Sequence, residues 1–405
     1  MAAIKQRKGE KNKSVTSEDA KEDDKIYNAD KQSTRKSGEV SFGTMLLFMT
    51  VFLGAIGCNL YYFYSKYGIH IFLGHGARDF TWTPYEWRNY IDENENTVLL
   101  IGGPHRSGTT ILWEAIKSHP DVAGFGDPFE TGVDYSEGIL FQEVYPRFGV
   151  GLEFKKNFGA PNENEKNDGV GRYALLPGVH WTKENKKELL QDSSTLSRLL
   201  NRFAPFWDKN KKVGSDGLNK SKVWVEKSPQ NGVLSTFLEG IYNMPVMEDG
   251  SVDLSSSAKP KRSATKFLYT TRHPIGNVYA IDKFVKESMG GFIDFEILLR
   301  NYIQLHKYMR IDEGNLESPI MWARLEDFTS NPPKVLKEVF GFLDVSNTDD
   351  VIDDILKEVG DVHSNPNGKY VKKWCAEGIK EHGHLLDKYG DDLKALDLGY
   401  DLDLC

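Results

Sequence analysis

The residues best suited to chemistry lie in Pro104-His105-Arg106-Ser107-Gly108-Thr109-Thr110, directly after the apolar run 98-VLLIGG-103. An apolar run, a glycine-containing turn and then helical spacing form the layout of an anion-binding loop. In such a loop, backbone N–H groups and a helix N-terminus face a phosphate or sulfate. Gly103 and Gly108 match the glycines of G-x-x-x-x-G-K-[ST], but Thr109 stands where the lysine belongs. The cation has moved to Arg106, whose planar fork suits two oxygens of one tetrahedral anion. Nucleoside-triphosphate enzymes use that lysine on the β/γ-phosphates and hold Mg²⁺ with an acid on a further strand. No aspartate stands out for that role, so the expected ligand is an anionic donor other than ATP, and no metal is expected.

The elements that must position these residues follow from pattern. The runs 98-VLLIGG-103, 222-KVWVEK-227, 266-KFLYTT-271 and 319-PIMWARL-325 read as strands. The first three lead through a turn into helical spacing over 110–117, 232–242 and 276–285. Repeated strand–turn–helix units predict an α/β, P-loop-type three-layer fold with a mostly parallel central sheet. Ligands then gather at the carboxyl ends of the strands, where Lys227 and Arg272 also fall. The region 133–220 is irregular, with 157-NFGAPNENEKNDGVG-171, and suits a lid or an acceptor-binding insertion. The polar segment 245–264 reads as a loop.

Four segments, in order, resemble the sulfotransferase superfamily: PHRSGTT followed by HPDV, VWVEKSPQN, FLYTTRHPIGNVYA, and ARLEDFTSNPPKVLKEVFGFLDV. The first is similar to the 5′-phosphosulfate loop of tyrosylprotein-sulfotransferase-like, Golgi-type members. The resemblance covers residues 97–400 and implies transfer of a sulfuryl group from 3′-phosphoadenylyl sulfate (PAPS) to a hydroxyl or amine. It assigns Arg106, Ser107, Gly108, Thr109 and Thr110 to the 5′ end of the donor and Arg272 to the 3′-phosphate. Many members share that phosphate with a serine eight residues on, and here the position is Ala280. Tyr279 or a residue of 363-HSNPNGKY-370 is then expected to substitute.

Transfer to a hydroxyl needs a base within hydrogen-bond reach of the acceptor. Asp127, Glu130 and Glu137 follow the HPDV segment, and Glu130 is favoured because Glu130-Thr131 resembles the Glu-Thr of the tyrosine-modifying relatives. Glu137 comes second. Lys227 is expected either to stabilise the departing bridge oxygen or to form a surface ion pair with Glu226. His105 is expected to orient the loop or lie exposed, and Glu326-Asp327 to cap the turn before Pro332.

Composition adds bounds. The chain has 405 residues and a net charge of −8, which excludes a general nucleic-acid binder. Three cysteines fit no zinc motif. Cys375 and Cys405 either pair or remain structural thiols, and Cys58 lies in an apolar run. Residues 1–44 carry ten Lys/Arg and eight Asp/Glu and read as a disordered cytosolic tail. The twenty uncharged residues of 45-MLLFMTVFLGAIGCNLYYFY-64, at about 1.5 Å each, match a hydrocarbon core of roughly 30 Å. They are expected to form one transmembrane helix, a signal anchor preceding the fold. Four Lys/Arg precede that segment within twenty residues and two follow, which predicts a single-pass type II protein. The remainder is then a stem over 65–95 and a luminal catalytic domain over 96–405, in the Golgi membrane, with a glycosylation acceptor at Asn219.

The acceptor class stays open among a glycan, a protein tyrosine and a small molecule. Two other readings stand beside the transferase: a magnesium-dependent P-loop kinase, and a non-catalytic anchored binding protein on the same fold.

Overall fold

The computed structural model describes residues 81–124, 145, 169–210, 221–243, 245–247, 249–253, 262–289, 291–360, 362 and 365–405. The chain divides into two compact units, Met1–Gly68 and Ile69–Cys405, and the first lies outside the described residues. So do the expected anchor, Asn219, Asp127, Glu130 and Glu137. Among the described residues, no helix is long and apolar enough to cross a membrane.

Among the described residues, five strands form one sheet in the order β2-β3-β1-β4-β5, and every pairing within it is parallel. They are β1 (Thr97–Gly102), β2 (Val122–Gly124), β3 (Val223–Lys227), β4 (Thr265–Thr271) and β5 (Ile320–Arg324). The four strands expected from apolar runs are present. The fifth, β2, spans three residues, too few for any periodic signal.

Alternation along β1 sends Val98 and Leu100 to one core and Leu99 and Ile101 to the other. Helices cover both faces, which makes the three layers. On the first face lies α5 (Asn231–Asn243), with Val233, Leu234, Phe237 and Leu238 buried against Phe267 and Tyr269. On the second lies α2 (Thr109–Lys117), whose Leu112, Trp113 and Ile116 meet Leu336 and Phe340 of α9 (Pro332–Phe342). Thus the helix after β1 and the helix after β3 leave to opposite faces, and the crevice between them is the expected ligand position.

The stem does not run to residue 95. Thr83 caps α1 (Pro84–Glu93) in a capping box with Glu86, and Trp87 and Ile91, four apart, enter the first core. Trp87 meets Trp224 of β3 edge-on at 6.0 Å, and Trp207 stacks on Trp224 at 4.8 Å. Part of the irregular region is also regular: α3 (Lys187–Gln191) and α4 (Ser193–Asn210) follow its loops. Residues 157–168 and 254–261 lie outside the described residues, while Val246 and Val252 form an antiparallel bridge within the polar loop.

Downstream, β4 leads into α6 (Pro274–Phe284), then α7 (Phe295–Glu313) and β5. A short α8 (Leu325–Ser330) and α10 (Asp349–Val359) bracket α9, and α11 (Gly368–Lys373) and α12 (Ile379–Ala395) end the chain. Cys375 and Cys405 form a disulfide that closes a 30-residue separation, which settles the open pairing. The bridge ties the last residues, 398–405, back to the π-helical turn Trp374–Gly378 between α11 and α12.

Candidate active site

The loop after β1 is held by its carbonyls. Ser107 Oγ donates to Pro104 O at 2.6 Å and meets Thr270 Oγ1 of β4 at 2.7 Å. Asn277 Nδ2 of α6 donates to His105 O at 2.9 Å, and Arg272 Nη1 donates to Arg106 O at 3.0 Å. The carbonyls of His105 and Arg106 are therefore drawn toward the β4–α6 side, while that of Pro104 is bound within the loop. The first-turn N–H groups of α2, at Thr109 and Thr110, have no intrahelical partner and carry the positive end of the helix dipole.

Backbone shape serves the same end. Arg106 and Gly108 both have positive φ, 64° and 92°. Alternating helical and left-handed residues curl a chain into a nest of N–H donors. Gly108 is required twice: its φ is left-handed, and a Cβ there would lie 2.5 Å from Leu325 Cδ1. Arginine at φ 64° is uncommon and costs roughly 1–2 kcal/mol.

The side chains sort differently from the expectation. The Ser107 hydroxyl is engaged inside the loop and links it to Thr270 of β4. Thr109 is buried, Thr110 is partly exposed, and the exposed Arg106 guanidinium lies 5.5 Å from the Phe284 ring centre. His105 is buried rather than exposed, edge-on to Tyr173 at 5.5 Å, which fits the orienting role.

Arg272 stands at the carboxyl end of β4 and is only 6% exposed. Nε donates to Asn367 Oδ1 at 2.8 Å, Nη2 to Pro366 O at 2.6 Å, and the Tyr370 ring lies 5.3 Å away. Burial pushes its pKa down, and the nearby Tyr370 and Glu326 oppose that shift. The segment 365–370, part of one of the two substitutes expected for the missing serine, meets the Arg272 side chain itself. The other, Tyr279, stacks on Tyr370 at 6.2 Å with rings 4° from parallel, while Ala280 is buried.

Lys227 ends β3 opposite Ile101 of β1 and is fully buried. A surface ion pair with Glu226 is excluded by this burial, and strand alternation sends the two side chains to opposite faces. Glu226 instead accepts from Ser228 Oγ at 2.6 Å and Asn231 Nδ2 at 2.5 Å.

Glu326 does not cap the turn before Pro332; Asn331 does, accepting from Lys334 N at 3.2 Å. Glu326 accepts from His273 N at 2.9 Å, from Tyr400 Oη at 3.0 Å, and from Asn367 Nδ2. Asp327 faces Arg324 at 3.8 Å. His273 caps α6: its Nδ1 accepts from Ile275 N, so the proton sits on Nε2 and goes to Asp401 O at 2.8 Å. Tyr400 lies outside every segment singled out in the sequence, and nothing local marks Asn277, Asn367 or Tyr370 within theirs; only the tertiary fold assembles the four.

A cavity of about 450 Å³ opens beside the loop, lined by Thr110, Ile111, Glu114 and Lys117 of α2, by Ser118, and by Glu358 and Val359 of α10. Ile111 and Val359 give it an apolar side, and Glu114 is ion-paired with Lys117 at 2.6 Å.

No family model and no curated protein matches this chain. Solved structures similar to it include a sulfotransferase from Mycobacterium avium, at 13% identity over 67% of this chain and 71% of that one, TM-score 0.36. The sulfotransferase domain of the Synechococcus olefin synthase matches at 15% over 68% and 86%, TM-score 0.36. A retinol dehydratase in complex with androsterone and the inactive cofactor PAP matches at 13% over 65% and 64%, TM-score 0.29. At such identities and TM-scores these likenesses carry no argument about activity, which has to rest on the residues.

Proposed function

We propose that the protein is a sulfotransferase that moves a sulfuryl group from PAPS to a hydroxyl or amine. The observation that carries this reading is the junction of Arg272 with the loop. Two anion ligands 166 residues apart meet through the Arg272–Arg106 carbonyl bond at the carboxyl ends of adjacent strands. A donor with a 5′-phosphosulfate and a separate 3′-phosphate needs two such cationic sites side by side, and a nucleoside triphosphate does not.

In this reading the first-turn N–H groups and Arg106 bind the 5′ end, Arg272 binds the 3′-phosphate, and the cavity beside Ile111 takes the adenine. The acceptor oxygen attacks sulfur while the bond from sulfur to the bridging oxygen breaks, and the electron pair stays on the 5′-phosphate. Glu130, or else Glu137, takes the acceptor proton; Lys227 or Arg106 meets the charge on the leaving oxygen. The acceptor is a glycan, a protein tyrosine or a small molecule.

We further place the catalytic part in the Golgi lumen behind the 45–64 anchor. The Cys375–Cys405 bridge supports this, since such bonds persist in oxidising compartments.

Two measurements test the reading. The full-length protein should bind 3′,5′-adenosine bisphosphate in the presence of EDTA and transfer label from PAPS to a member of a glycan, peptide and alcohol panel. Binding of ATP only with magnesium would favour the kinase; bisphosphate binding with no transfer to any acceptor would favour the binding protein. Protease added to sealed vesicles should remove only the tail, and digestion of the catalytic part would reverse the orientation.

A further inference from the structure

We propose that Glu326 is a positioning residue for the donor site. It holds Asn367, and through Asn367 the Arg272 guanidinium, in the plane that receives the 3′-phosphate. This rests on the reading of Arg272 given above.

Glu326 lies in α8 just past the end of β5, and its carboxylate gathers three parts of the chain. One oxygen accepts the backbone N–H of His273 at 2.9 Å, at the start of α6, and also the Asn367 amide. The other accepts the Tyr400 hydroxyl at 3.0 Å, from the disulfide-tied C-terminal segment. Asn367 then uses both ends of its amide, Nδ2 toward Glu326 and Oδ1 toward Arg272 Nε at 2.8 Å.

The polarity of that relay is forced. An ionised carboxylate only accepts and a guanidinium only donates, so the bridging group must donate at one end and accept at the other. A carboxylate set directly on Arg272 would compete with the phosphate. The interposed amide transmits orientation without placing its own charge on the guanidinium. Arg272 is thereby held at all three nitrogens, by Asn367, Pro366 O and Arg106 O. One further N–H on each terminal nitrogen has no partner among the described residues. Those two N–H groups are the donors left for an anion.

The test compares two ligands that differ only in the 3′-phosphate: 3′,5′-adenosine bisphosphate and 5′-AMP. Calorimetric titration of the full-length protein gives the affinity ratio, which is the preference owed to that phosphate. Glu326→Ala and Asn367→Ala should each lower the preference at least about tenfold, as loss of a well-placed charged contact does, with 5′-AMP affinity unchanged. The double variant should lose no more than either single one, because both changes break the same relay. Asn367→Asp should also lose the preference, since two carboxylates would then face each other. Glu326→Gln should retain it. The glutamine oxygen can accept from His273 and Asn367, while the Tyr400 hydroxyl turns to accept the amide N–H.

An Ala variant that keeps the full preference, or loses 5′-AMP affinity equally, would overturn the inference. So would additive losses, or a Gln variant as impaired as Ala. A wild-type protein with no preference for the bisphosphate would instead sink the donor reading, and the positioning role with it.

Discussion

Arg272 donates to the main-chain carbonyl of Arg106 at 3.0 Å, so the cation at the end of β4 also shapes the loop at the end of β1. Replacing Arg272 by Ala should therefore do two things. Bisphosphate binding should weaken by about 1.5–3 kcal/mol, from loss of a charge-assisted contact. Affinity for 5′-AMP should fall too, by a smaller factor, because the loop loses a brace. Titration of both ligands checks this, and an unchanged bisphosphate affinity would place the 3′-phosphate elsewhere.

Arg106 offers a way to separate chemistry from folding. Glycine relieves the left-handed strain at φ 64°. It also adds about 0.4–1 kcal/mol of chain entropy to the unfolded state, so the net effect runs from about zero to a gain of roughly 1.5 kcal/mol. Arg106→Gly should therefore not lower the melting temperature, while turnover falls. Arg106→Lys, which keeps charge but loses the fork, should lower turnover by roughly tenfold to a thousandfold. Turnover preserved at saturating donor would leave Arg106 an anchor only and shift the catalytic charge to Lys227.

Gly276 tests the packing behind the donor site. A Cβ there would overlap Asn367 Oδ1, the atom that accepts from Arg272 Nε. Gly276 lies in α6 with ordinary helical φ, so Gly276→Ala should gain up to about 1 kcal/mol in helix propensity. Against that, it should push Asn367 off Arg272 and reduce bisphosphate affinity several-fold. Equal affinity in the alanine variant would show that the 365–370 segment does not set the site.

His306 predicts a pH dependence. Its Nδ1 donates to Tyr302 O at 2.8 Å, leaving Nε2 to accept from Thr271 Oγ1 at 3.0 Å, so the ring is neutral. Complete burial pushes its pKa down to about 4. Below about pH 6.5 the unfolded chain binds a proton that the folded protein refuses. Stability conferred above that value is therefore lost as pH falls toward 4, by roughly 3 kcal/mol in full. Thermal melts of wild type and His306→Gln between pH 7 and 4.5 should converge at the acid end. Parallel profiles would mean that His306 is not the group responsible.

How much was legible in advance depended on the range of the interaction. The strands β1, β3, β4 and β5 announced themselves through apolar runs, and β2 did not, because three residues carry no period. The loop from Pro104 to Thr110 could be read as an anion site because its function resides in local backbone: two glycines, a missing lysine and a helix start. Arg272 could be placed because a strand end is a local feature.

Whatever depends on residues distant in the chain was not legible. Nothing near Glu326 in sequence says that its carboxylate meets Asn367 and Tyr400, 41 and 74 residues away. Lys227 could have been a surface charge, but the fold buries it at the end of β3 opposite Ile101 of β1. Helix α1 read as stem because the polar stretch DENENT obscured a capped helix whose tryptophan packs on a strand more than a hundred residues later. Sequence by itself determined the sheet type, the candidate anion loop and the cations available. Tertiary structure alone decided which carbonyls hold those cations and in what plane, because hydrogen bonds between distant segments exist only once the core has brought the segments together.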